Sequence, residues 1–267
     1  MSSANLEPKR GTEAASKPVQ PVPAELAVGG LALVPPPAAR LEPSVALRER
    51  GRPLGQNAHV LDFWSWAFSD LRQNNVRGHL AEYIVGLALG VPLTVRSSWD
   101  DYDLLIPAGK LARGAVRVQV KSAAYLQAWG QRKLSAITFG GLRRRPFPWS
   151  ADQGFVLGET KCPKADVFVF AIETARRHED YDPLEIDQWA FRVLPAHQIT
   201  QDTLSLGTLS KLTPELTFRG LAEAVTQAAR ARRQKLAGAR AQLRKAEQKA
   251  DRAAVERWTA AIAYLEA

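Results

Sequence analysis

Cysteine is almost absent. One residue, Cys162, among 267 excludes a disulfide framework and a thiolate zinc cluster. Histidine is scarce too: His59, His79, His178 and His197 are scattered and show no zinc-ligand spacing. No apolar run reaches the roughly 18 residues that span a bilayer. The opening MSSANLEPKR lacks the hydrophobic stretch of a signal peptide. The segment AGKLARG at 108–114 has one glycine before its lysine and is no Walker-type phosphate loop. These absences predict a cytoplasmic protein with no membrane partner and no small-molecule cofactor. What is abundant is positive charge. Lys and Arg number 36 against 27 Asp and Glu, a formal net charge of +9. Such a surface favours a polyanionic partner.

The composition changes along the chain. Residues 1–58 hold nine of the 17 prolines and no aromatic residue. Proline removes backbone donors, and little large apolar surface is present to offset the entropy of ordering. A flexible N-terminal arm is expected there. Residues 59–218 read as the folded domain. Leu61, Trp64, Phe68 and Leu71 recur at helical spacing, which suits core or subunit contact; base stacking by Trp64 and Trp66 is the alternative. The segment VRGHLAEYIVGLALG reads as a second helix with Leu80, Ile84 and Leu87 on its apolar side. Gly78 and Gly86 flank Glu82 and open that helix to close approach. Then the period changes. TVRSSWDDYDLLIP is strand-like, with Asp103 in its middle. AVRVQVKSA alternates strictly, so Val116, Val118 and Val120 share one face and Arg117, Gln119 and Lys121 the other. Leu126 to Leu134 reads as a short helix or loop. Residues 141–164 form a basic, aromatic insertion. ADVFVFAIE and WAFRVLP are further strands, the second near a sheet edge because of Pro195.

Residues 219–267 read as a basic helical extension, a long helix or a hairpin with Gly238 as one possible break. Over 219–250, nine Lys or Arg face only Glu223 and Glu247.

Glu82, Asp103, Gln119 and Lys121 come from one helix and two strands that can converge. A hard divalent ion takes oxygen ligands. Asp103 supplies a charged oxygen, Gln119 an amide oxygen, the Val120 carbonyl another, and Glu82 binds the ion or one of its waters. Lys121 is placed to stabilise the nucleophile and the transition-state charge of phosphodiester hydrolysis. Asp101 is the runner-up ligand. His79 could share the Glu82 helix face. Ser122 and Gln127 could touch phosphate or water, and Cys162 reads as structural.

The order RGHLAEYIVG, WDDYDLLIP, VRVQVKSAAY resembles the catalytic core of the PD-(D/E)xK nuclease superfamily, in its restriction-endonuclease-like and Holliday-junction-resolvase-like branches. The resemblance covers about residues 60–200 and falls on Glu82, Asp103, Gln119 and Lys121. Two departures stand out: Tyr102 replaces the proline before Asp103, and Gln119 replaces the acid of the (D/E)xK pair. The resemblance implies an α/β fold, a mixed central β-sheet flanked by helices. It also implies a Mg²⁺-dependent deoxyribonuclease, with Mn²⁺ able to substitute, acting in foreign-DNA defence or in DNA repair and recombination.

For DNA, two basic surfaces are expected: Arg143, Arg144 and Arg145 in the insertion, and Arg230, Arg232, Arg233 and Lys235 in the helical extension. A homodimer would set two centres on opposite strands. The rival expectation is a catalytically inactive DNA-binding or assembly protein on the same fold, motivated by the uncharged Gln119 and the basic C-terminal segment.

Overall fold

The computed structural model describes residues 38–56, 58–97, 100–145, 149–150, 154–155 and 161–266. Residues 1–37, most of the expected arm, and much of the basic insertion lie outside the described residues. Within the arm, Arg48–Glu49 and Arg52–Pro53 pair as a two-residue antiparallel ladder, and Ala46 bridges to His59.

Two helices come first, α1 (Val60–Phe68) and α2 (Asn74–Leu89). Four strands follow: β1 (Leu104–Ile106), β2 (Val116–Ala124), β3 (Val167–Glu173) and β4 (Trp189–Pro195). They lie in the order β1-β2-β3-β4. The β2–β3 pair is parallel and the outer two pairs are antiparallel, so the sheet is mixed. A parallel pair needs a long crossover. Residues 125–166 supply it, tied down where Thr138–Phe139 pairs with Leu204–Ser205. Helices α3 (Leu206–Leu212), α4 (Leu221–Gln248) and α5 (Arg252–Glu266) complete the chain.

Sequence pattern explains the layering. Val116, Val118 and Val120 alternate inward and join Ala81, Ile84, Val85 and Leu89 of α2 and Leu221, Val225, Ala228 and Ala229 of α4 in one apolar layer. Phe168, Phe170 and Ile172 point the other way, against Phe139, Leu142, Ile199 and Leu209. Strands β3 and β4 are buried along their whole length because both faces are covered. As expected, β4 is the last strand in the sheet order. Its Phe191 exchanges two backbone hydrogen bonds with Leu216, which shields the edge.

Several expectations change. The buried stripe of α2 runs through Ala81, Ile84, Val85 and Leu89, and Leu87 is exposed. Helix α1 forms as expected, but none of its residues is buried, so it does not serve the core. The strand-like stretch 94–107 contributes only three strand residues. Residues 126–134 form a loop, in which buried Gln127 braces Ala124 and Ser135.

Helix α4 passes through Gly238 unbroken. The turn comes at Ala250, whose φ of 53° is left-handed, and α5 folds back along α4. The first turns of α4 are core, not extension. Arg232 is buried and pairs with Asp166 at 2.6 Å. Asp166 also accepts from the Arg117 backbone at 2.7 Å and from its guanidinium at 3.2 Å. One carboxylate therefore joins α4 to β2. Asp166→Ala would leave two guanidinium groups facing each other in a largely buried setting. A loss of about 3 kcal/mol is expected, read as a lower urea midpoint at unchanged slope. A loss below about 0.5 kcal/mol would show that the triad is solvated and structurally idle.

Among the described residues, no helix is long and apolar enough to cross a membrane.

Candidate active site

Three elements bring the site together. Helix α2 is anchored at its start, where buried Arg77 faces buried Glu173 at the end of β3. Burial raises the Glu173 carboxyl and the Arg77 charge partly offsets this. The helix ends at Gly90, whose φ of 58° suits glycine and whose N–H satisfies the carbonyl of Leu87 at 3.0 Å. This fixes Glu82 on the segment beside the sheet.

Strand β1 pairs with β2 only as far as Leu104 opposite Val118. Asp103 precedes the strand by one residue instead of standing in its middle. Its N–H bonds the Val118 carbonyl at 3.0 Å, and its carboxylate turns across the open edge of β2. There it accepts from the Val120 N–H at 2.7 Å and from the Gln119 side-chain amide. In an extended strand the N–H and C=O of one residue face the same side. The Val120 carbonyl therefore faces the edge that Asp103 occupies. Gln119 directs its amine to Asp103 and keeps its amide oxygen as a separate acceptor.

The charges of the site act on one another. Burial, then the charge of Glu82, push the Asp103 carboxyl up to about 6; the Val120 N–H, Lys121 and Arg96 act against this. The Lys121 ammonium is held below the ordinary lysine range, first by burial and then by Arg144, while Asp103 and Glu82 oppose the shift. All four expected residues thus feel one another or touch. Arg144 belongs to the same group.

Sequence reading missed Arg96. Its guanidinium forks onto Glu82, Nε to Oε2 at 2.6 Å and Nη2 to Oε1 at 2.9 Å. The Glu82 side chain is only 13% exposed. No spacing in the sequence points to this pair, because the irregular segment after α2 carries Arg96 back over the helix. The other expectations divide. His79 lines the cleft with Glu82 and Asp103, and burial lowers its pKa. Asp101 is exposed on the preceding turn. The Ser122 hydroxyl faces α2 at Gly78. Cys162 is buried, and its backbone bridges that of Arg144.

Among the expected phosphate contacts, Arg144, Arg145, Arg230 and Lys235 are exposed. Three others are engaged inside the fold. Arg143 donates to the carbonyls of Thr200 and Lys161, Arg232 pairs with Asp166, and Arg233 donates to the Gly114 carbonyl at 2.7 Å. Their charges dock segments onto the core, which hydrophilic helix periodicity does not reveal.

No protein-family model, curated protein or solved structure significantly matches the chain. The site therefore rests on its own geometry.

Among the described residues, no three His, Cys, Asp or Glu side chains gather as a metal cage. The oxygen set is two carboxylates, one amide and one main-chain carbonyl. It fits a hard ion that keeps several waters. The mutual repulsion of Glu82 and Asp103 is the specific sign, since a cation would relieve it. Arg96 supplies part of that relief. Replacing Arg96 with Met should therefore tighten Mn²⁺ binding several-fold in calorimetry, because the ion no longer competes with a guanidinium for Glu82. Unchanged or weaker affinity would show that Arg96 supports Glu82 as a ligand.

Proposed function

We propose that the protein is a divalent-metal-dependent deoxyribonuclease. One observation carries the reading: Asp103, at the uncovered edge of β2, joins Gln119 and the Val120 backbone and lies within electrostatic reach of Glu82 and Lys121. The PD-(D/E)xK resemblance, in its QxK form, supports the same assignment.

Mg²⁺, or Mn²⁺ in its place, would be held by Glu82, Asp103, the Gln119 amide oxygen and the Val120 carbonyl, and would lower the pKa of an attacking water and neutralise phosphate charge. Asp103 is fixed by two donors, so its carboxylate needs little rearrangement. Lys121 projects from the same face as Gln119. Its ammonium stabilises the negative charge that accumulates as the water oxygen bonds to phosphorus. The bond from phosphorus to the leaving deoxyribose oxygen breaks, and the proton lost by the water balances the charge on that oxygen. Arg144 adds a second cation near Lys121, and Arg145, Arg230 and Lys235 offer sequence-independent phosphate contacts.

A homodimer would place two such centres on opposite strands. The uncovered α1 face, with Leu61, Phe63, Trp66 and Phe68 exposed, is the surface suited to that contact.

The test is cleavage of linear, supercoiled and branched DNA in Mg²⁺ or Mn²⁺. Metal-dependent products that EDTA abolishes are expected. No cleavage of any of the three would overturn the assignment. The fork of Arg96 on Glu82 favours a second reading, a non-catalytic DNA-binding protein. It predicts salt-sensitive binding that survives EDTA and Asp103→Ala, with no turnover.

A further inference from the structure

The carboxylate corner opens into a cleft of about 310 Å³, at the lower end of the range of small-ligand sites. Its lining is of two kinds. Glu82, Asp103 and Arg96 are charged, and Tyr83, Pro92, Leu93, Val95, Leu104 and Pro107 are mostly apolar. The apolar wall is built into the fold. Leu93 lies so close to α2 that a methyl group at Gly86 would overlap its side chain, so glycine there sets the position of the wall. Tyr83 is 49% exposed and Val95 39% exposed. A phosphodiester backbone has no use for such a wall.

We infer that the cleft takes one unstacked nucleobase of the strand being cut, adjacent to the phosphodiester at Asp103. The inference rests on the nuclease reading and names its substrate: a single-stranded, frayed or flipped nucleotide. The match is of two kinds of lining to the two parts of a nucleotide. The base has π-faces for Tyr83 and the aliphatic wall, and stacking of this kind is indifferent to base identity. The phosphate turns to the charged part of the lining, where Arg96 supplies positive charge. Removing a base from the stack costs least where it is already unpaired, which selects for irregular or single-stranded DNA.

The test needs no catalysis. A 12-nucleotide single strand carrying a central 2-aminopurine is titrated in EDTA with the full-length protein. A strand that is abasic at the same position is titrated in parallel. The wild type should bind the intact strand about fivefold or more tightly than the abasic one, the effect of stacking one base. Val95→Trp fills the exposed side of the cleft without entering the core. It should bring the two affinities together while leaving binding of the abasic strand unchanged. Leu184→Trp, at an exposed position outside the cleft, should retain the preference, which guards against a general defect. Equal wild-type affinities would overturn the cleft assignment and leave the nuclease assignment standing. Retention of the preference by folded Val95→Trp would do the same. No binding of either strand would overturn the cleft assignment and leave the nuclease assignment to the cleavage test. A protein dimer abolished by Val95→Trp would show that a second copy fills the cleft, and would overturn the inference.

Discussion

Replacing Lys121 with alanine is expected to lower single-turnover DNA cleavage at saturating Mg²⁺ by about 10²–10³-fold, the effect of removing one preorganised charge from a transition state. Its position explains the size. Lys121 stands on the same strand face as Gln119, two residues on, in a partly buried setting where charge is poorly screened. The variant should fold normally, since no described hydrogen bond of the fold depends on the ammonium. Its Mn²⁺ affinity should stay within a few-fold of wild type or rise slightly, because a cation has been removed from beside the carboxylates. A rate within about threefold of wild type would remove Lys121 from the mechanism. An equal loss of rate and of metal affinity would reassign it to holding the carboxylates.

Asp103→Asn should have a comparably large effect through binding. The carboxylate is the better fixed of the two, and loss of its charge leaves Glu82 alone beside Arg96. Mn²⁺ affinity should fall by about 10²-fold or more at pH 7.5. The pH dependence supplies a signature. The Asp103 carboxyl is pushed up to about 6 by burial and by Glu82. A cation must displace its proton, so wild-type affinity should rise by up to about tenfold per pH unit below 6 and level off above it. In Asp103→Asn that component should vanish. Stability of the metal-free protein should run the other way. The native pKa lies above the ordinary 3.8, so the folded state holds a proton that the unfolded state releases. Stability from this group is present below about 4 and is lost as the pH rises through about 6. Urea titrations of wild type and Asp103→Asn across that window check the sign. A wild-type affinity that is flat from pH 5 to 8 would contradict the burial of this carboxylate.

The strands were legible wherever one force dominated. The alternation in AVRVQVKSA gives β2 its two faces directly, and the apolar runs of β3 and β4 reflect cover on both sides. Glu82, Gln119 and Lys121 could be placed because helix and strand periods dictate their faces. Asp103 was expected in mid-strand but precedes β1, since β1 is shortened where the carboxylate turns to the Val120 N–H. Arg96 was invisible for a different reason. Its partner lies across an irregular segment, and no local period encodes that return. Basic helix α4 misled in a third way. Its seven positive charges suggested a solvated stripe, yet Leu221, Val225, Ala228 and Ala229 form a narrow apolar edge, and Arg232 enters the core region with Asp166 as its partner. Alanine carries too little hydrophobic contrast to announce such a face.

Helix α1 shows the opposite mismatch. Its apolar content suggested burial, but Trp66 is 84% exposed. Leu61, Phe63 and Phe68 extend the same uncovered surface, with the Phe63 ring 6.5 Å from that of Trp66. An aromatic face of this extent has the chemistry of an interaction surface. That fits the proposed dimer, whose existence sedimentation at micromolar concentration decides.

The most direct measurement is the position of Mn²⁺ by anomalous diffraction from crystals grown with the ion. One peak is expected within about 2.5 Å of an Asp103 carboxylate oxygen and of the Val120 carbonyl oxygen, with Glu82 turned from Arg96 toward the ion. The same crystals of Asp103→Asn should lack it. A wild-type structure with Glu82 still clamped by Arg96 and no ion at the β2 edge, from protein that cuts DNA in the same buffer, would contradict the assignment of this corner as the catalytic centre.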